Sequence, residues 1–171
     1  MTVLGLPGSL SGFAMLLALL VDAVSDPLVG SISDNWKSRW GRRHPFMLYS
    51  AVPLGLCFAA LFAPPTSFGP TGQLVWLTLF AIATRTAMTF YHVPHQALGA
   101  EFTTDYAERT RVVAFRLGFG YLGVFVMAGL GFGYFFADER GGRTNPEAYA
   151  PFGMALAAIM IVTGLVSIWG T

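Results

Sequence analysis

The 171 residues are 54% hydrophobic and 11% charged, with a formal net charge of +1 and a mean hydropathy of +0.59. Soluble domains carry roughly 25% charged residues, so too little polar surface is present to solvate a globule. The near-neutral balance excludes a nucleic-acid footprint, which needs basic residues gathered on one face. The single Cys57 offers neither a disulfide framework nor a metal-ligand cluster.

Apolar runs close to the ~20 residues that a helix needs to cross a bilayer predict membrane spans at 10–32, 45–63, 74–98, 112–136 and 151–169. None alternates as a barrel strand does, and in a bilayer every backbone polar group needs an internal partner. The predicted fold class is therefore all-α, a polytopic membrane helix bundle forming one transmembrane domain over 1–171. The lipid bilayer is its first partner.

The first span contains Asp22 and Asp26, four residues apart and so stacked on one helix face. An ionised carboxylate at membrane depth costs several kcal/mol or more, which makes the pair a functional-site candidate. Pro27 has no N–H and leaves the carbonyl of Ala23 without its helical partner, adding an oxygen beside the carboxylates. Oxygen-rich helix interruptions of this kind coordinate Na+ or relay H+. The alternative is that both Asp side chains reach the headgroups and pair with basic loop residues. Asp26 lies about 12 Å of helical rise from the following loop, too deep for a short side chain to snorkel.

That loop, 34–44, carries Lys37, Arg39, Arg42 and Arg43, and the loop 99–111 carries Arg109 and Arg111. Both are cytoplasmic by the positive-inside rule. The breaker-rich loop 64–72 has no charge, and the loop 137–149 sets Arg140 and Arg143 against Asp138, Glu139 and Glu147, so both face outward. The N-terminus is then external and the C-terminus cytoplasmic. An odd span count with an external start leads to the expectation of a preceding helix. The first run, with two carboxylates and no basic n-region, is not a signal peptide.

In the third span Arg85, Thr89, His92 and Gln96 recur at four, three and four residues and draw a polar stripe down one face. Such a stripe lines a cavity or meets another polar helix. Pro94 loosens the helix beside His92. Arg85 has a simpler candidate role, neutralising Asp22 or Asp26. The fourth span opens with Arg116, a headgroup anchor or a substrate ligand. It carries Gly118, Gly120, Gly123, Gly129, Gly131 and Gly133, read as surfaces for close helix approach.

Two stretches, DAVSDPLVGSISDNWKSRWGRRHPF and YHVPHQALGAEFTTDYAERTRVVAFR, resemble the glycoside-pentoside-hexuronide:cation symporters, the melibiose permease-like family of the major facilitator superfamily. The first is similar to the family's second helix and following loop, and the second to its fourth helix and the loop into the fifth. The resemblance covers essentially the whole chain. It implies helices two to six of twelve, with a first helix and a C-terminal half of the same transporter as further partners. It also implies symport of a sugar, glycoside or related small solute by alternating access, with no cofactor.

The resemblance assigns cation coupling to Asp22 and Asp26 together with Thr89. His92 stands where the family has a third carboxylate. An imidazole is a poor ligand for Na+ and titrates near neutrality, so the implied coupling ion is H+ rather than Na+, with Na+ at Asp22 and Asp26 the other possibility. Arg116 matches a family arginine in the sugar site, and Gln96 stands where a member of the family sets an aromatic against its sugar. The implied substrate-binding set is Arg116, His92, Gln96 and Arg85. Gly30, Asp34, Arg39, Gly41, Arg42 and Arg43 resemble the superfamily's cytoplasmic gating loop, whose charges latch the two halves. Positive-inside orientation accounts for the same arginines.

Two other functions compete. Asp22, Asp26 and the Gly30-x-x-x-Asp34 spacing superficially resemble the acidic helices of CDP-alcohol phosphotransferases, but the Asp-Gly-x-x-Ala-Arg element those enzymes use is missing. A noncatalytic scaffold or a nonfunctional membrane fragment is the third class.

Overall fold

The computed structural model describes residues 8–39, 41–65, 67–101 and 105–170, so residues 102–104 of the second motif lie outside it. Its helices are α1 (Gly8–Asn35), α2 (His44–Phe62), α3 (Pro70–Glu101), α4 (Tyr106–Leu130) and α5 (Tyr149–Trp169), and the described residues contain no strand. Five helical stretches are long and apolar enough to cross a membrane.

Every helix extends beyond at least one end of its apolar run, because backbone hydrogen bonding does not require apolar side chains. The largest difference is at α4, which starts at Tyr106 rather than 112. There Asp105 Oδ1 accepts from the backbone N–H groups of Ala107 at 2.6 Å and Glu108 at 3.4 Å, satisfying donors that a helix start leaves orphaned. Pro45 in the first turn of α2 and Pro70 at the start of α3 occupy positions where a missing N–H costs nothing. Pro27 and Pro94 lie inside α1 and α3, and both helices run on through them.

α3 packs against α1 on one side and α2 on the other, and α2 packs against α5. Near the 63–69 loop, Trp76 donates its indole N–H to the carbonyl of Ala60 at 2.8 Å, tying α3 to the last turn of α2. Phe152 of α5 sits among Phe62, Phe135 and Phe136, with ring centroids 5.0–5.9 Å apart. The last turn of the fourth span is a π-turn, Gly131–Phe135, closed by the Phe136 N–H on the Gly131 carbonyl at 2.7 Å.

α4 itself buries no described residue. A Cβ at Gly118, Gly120, Gly123, Gly129 or Gly133 would meet nothing within 4 Å. The close helix approach read into these five glycines is not made by the described chain, whereas Gly131, the sixth of the span, is buried against the ring of Phe152 on α5. The tightest approaches are at Gly55 and Gly153, where α2 and α5 meet.

Phe119, Phe125, Leu79 and Val166 are among many large apolar side chains on the outer surface. Soluble monomers rarely expose contiguous apolar patches of more than a few hundred Å², so this surface belongs in lipid. The chain is a multi-pass membrane protein.

Candidate functional site

The Asp22–Arg85 and Asp26–Thr89 pairs share one offset, 63 residues. Gly30 lies against Val93 at the same offset. A constant offset means that α1 and α3 run in the same direction, as two helices separated by one antiparallel crossing must. The shared four-residue step then keeps successive side chains of one helix opposite successive side chains of the other.

Arg85 donates to Oδ2 of Asp22 from Nε at 2.6 Å and also from Nη2. Both donors use one oxygen. Oδ1 of Asp22 is buried and has no hydrogen-bond partner among the described residues. One turn further on, the hydroxyl of Thr89 donates to Oδ1 of Asp26 at 2.8 Å. Thr89 is buried, whereas Asp26 is exposed on the helix surface. Asp22 and Asp26 thus have different partners, one a cation and the other a neutral hydroxyl.

The lower half of the predicted stripe does not join them. His92 is exposed and its ring lies 2.9–3.0 Å from the amide nitrogen of Gln96, one turn along α3. Among the described residues no three His, Cys, Asp or Glu side chains come together as a metal site, so His92 does not complete a cluster with the two carboxylates. Gln96 and Arg116 both line a cavity of about 1210 Å³ between α3, α4 and α5, with His95, Arg109 and Ser167. Arg85 and His92 are absent from its lining. The four residues grouped as substrate-binding are therefore divided between two places.

His95 and Tyr91 were not singled out from the sequence. His95 Nε2 lies 3.2 Å from the hydroxyl of Ser167, and the Tyr91 hydroxyl donates to the Gly164 carbonyl at 3.3 Å, while the two rings stack on each other. Their spacing of four along α3 was the available signal. It places both on a face turned from the Arg85 stripe and toward α5.

At the C-terminal end of α1, Asp34 Oδ1 accepts from Nη2 of Arg43 at 2.7 Å and from its Nε at 3.2 Å. Arg43 is almost wholly buried at the head of α2, and Asp34 is about half exposed. This ion pair clasps the two ends of the basic loop. Gly41, with φ +91°, makes the turn between them, a backbone conformation that L side chains resist. Arg42 is exposed. Arg39 borders a second cavity, about 820 Å³, lined by Trp36, Phe46, Tyr49, Cys57 and Phe90 among others. Gly30 lies one turn beyond Asp26 and two beyond Asp22, within contact distance of α3.

The family model described as MFS/sugar transport protein matches residues 1–171, and the chain belongs to that family. An uncharacterized symporter of Synechocystis is 34% identical over 68% of the chain and 22% of its own length. The inner membrane symporter YicJ of Escherichia coli is 30% identical over 67% of the chain and 25% of its own length. A sodium-dependent lysophosphatidylcholine symporter 1-A of Danio rerio is 35% identical over 56% of the chain and 18% of its own length. The chain spans about a quarter or less of these relatives. The family match and the symporter names bear out the resemblance read from the two sequence stretches.

Proposed function

We propose that this member of the MFS/sugar transport protein family serves a secondary active transporter, not an enzyme. In that role it couples movement of a cation to symport of a small solute of the sugar or glycoside class by alternating access. One observation carries this: at mid-helix, α1 and α3 are held in register by an Asp–Arg and an Asp–Thr contact. Polar groups that are costly in a bilayer are kept there, side by side, on two helices that pack together.

The coupling ion is H+ in this reading. Na+ prefers several hard oxygen ligands. Asp22 already receives a guanidinium, Asp26 has one hydroxyl neighbour, and His92 replaces a carboxylate without reaching the pair. A single exposed carboxylate is sufficient for a proton. Arg116 and Gln96, which share the larger cavity, are the residues assigned to the solute, and its apolar walls with a few polar groups match the usual make-up of small-molecule sites. The second reading is Na+ coupling, favoured by the sodium-dependent name of the Danio relative.

Uptake into vesicles carrying the protein, under separately imposed pH and Na+ gradients, tests the proposal. Uphill uptake should follow the proton gradient, and Asp26→Asn should abolish it while solute exchange survives. Stimulation by Na+ at clamped pH, with no response to the proton gradient, would overturn H+ coupling. Full accumulation by Asp26→Asn would return the carboxylate to a structural role.

A further inference from the structure

Over residues 8–33 of α1 and 70–100 of α3, the charged side chains are Asp22, Asp26 and Arg85. Two negative charges and one positive charge leave a net charge of minus one. How that charge is distributed follows from the geometry. Arg85 directs two donors at Asp22 and is not bonded to Asp26, whose contact is the uncharged hydroxyl of Thr89. A guanidinium does not lose its proton under conditions in which proteins stay folded. The pair also lies in a medium where opposite charges attract far more strongly than in water. The nearest further charges along α1 are Asp34 and its partner Arg43, at the helix C-terminus about 12 Å from Asp26 by helical rise. On α3, His92 is engaged with Gln96.

We infer that Arg85 is the resident counter-cation of Asp22, so that Asp26 beside Thr89 is the one carboxylate open to an exchangeable cation, and a single monovalent cation neutralises the pair of helices. Arg85 is then a specificity-determining residue. It neutralises the second carboxylate that a metal ion would need, occupying its Oδ2 with two donors, and it fixes the charge carried per cycle at one. The kinetic consequence rests on the cation-coupling reading, but the division of roles between the two carboxylates does not.

The test uses chemical modification of the whole 171-residue chain in lipid nanodiscs. Dicyclohexylcarbodiimide reacts with membrane carboxyls that carry a proton and spares those held ionised in ion pairs. Peptide mass mapping should find Asp26 modified and Asp22 spared. Arg85→Gln should make Asp22 reactive to a similar extent, and Arg85→Lys, which keeps the charge, should spare it again. The wild-type chain alone provides a decisive comparison if Arg85→Gln fails to fold. Modification of Asp22 as fast as Asp26 in the wild type, or an Asp22 that stays unreactive in folded Arg85→Gln, would overturn the inference. Where transport is measured, Arg85→Gln should raise the Hill coefficient for the coupling cation from about one toward two, as its charge count requires. A failure of transport coupling with the modification pattern intact would refute only the proposed function.

Discussion

Replacing Gly153 by alanine should pry α5 from α2. A Cβ at this position would stand 2.4 Å from Cβ of Phe62, whereas ordinary contact begins at 3.4 Å. The clashing atom is the root of the Phe62 side chain, so no rotation of the ring relieves it. The helices must separate by about 1 Å, and the shift passes into the ring cluster of Phe62, Phe135, Phe136 and Phe152. Overpacking of this kind costs about 1–3 kcal/mol. The contrasting substitution is Gly129→Ala on α4, where the added methyl meets nothing within 4 Å. There the better helix propensity of alanine predicts no loss and a gain of up to about 1 kcal/mol. Both are measurable by denaturant titration of the chain in mixed micelles, followed by tryptophan fluorescence. Unchanged stability in Gly153→Ala, together with a loss in Gly129→Ala, would refute the reasoning and put the close helix approach on α4.

Thr89→Ala removes the hydroxyl bonded to Asp26 at 2.8 Å and should raise the cation concentration for half-maximal uptake by up to about tenfold, since hydrogen bonds to charged groups contribute about 1.5–3 kcal/mol when buried and less when exposed. Thr89→Ser should stay near wild type, and equal behaviour of the two would detach Thr89 from the ion. Asp34→Asn weakens the clasp on the buried Arg43 and should change transport rate and the cysteine accessibility of the 36–43 loop more than solute affinity. An effect limited to membrane insertion would leave the loop arginines with orientation alone. Reporter fusions after Pro65 and after Gly141 should read external, and a cytoplasmic signal at both would overturn the assignment from loop charges.

The five membrane helices were legible because their apolar length is a property of each segment alone. The capped starts were less so. Asp105 lies seven residues upstream of the apolar run of α4, and its N-cap role depends on backbone geometry that hydropathy does not register. The glycines of α4 show the opposite error. Small residues at helical spacing permit close approach, but permission is not contact: of the six glycines of the fourth span only Gly131 packs against another helix, and the tightest contacts are at the less conspicuous Gly55 and Gly153.

At the site, the spacing of Asp22 and Asp26 and the stripe from Arg85 to Gln96 each follow from one helix's periodicity, so both could be read from the chain. The partner across the interface could not, because it depends on how far α3 slides along α1. That displacement is set by the length of α2, the Asp34–Arg43 clasp at one end and the Trp76–Ala60 bond at the other. Only with the offset fixed at 63 residues does Arg85 fall to Asp22 and Thr89 to Asp26. A slide of one turn would have set Arg85 opposite Asp26 instead and changed which carboxylate stays open. The same offset limits His92. The α1 position opposite it is Val29, buried and apolar, so no carboxylate faces the ring and it bonds to Gln96 on its own helix. Residue type suggested a titrating third member of the cation site, and helix register rather than composition separates His92 from that role.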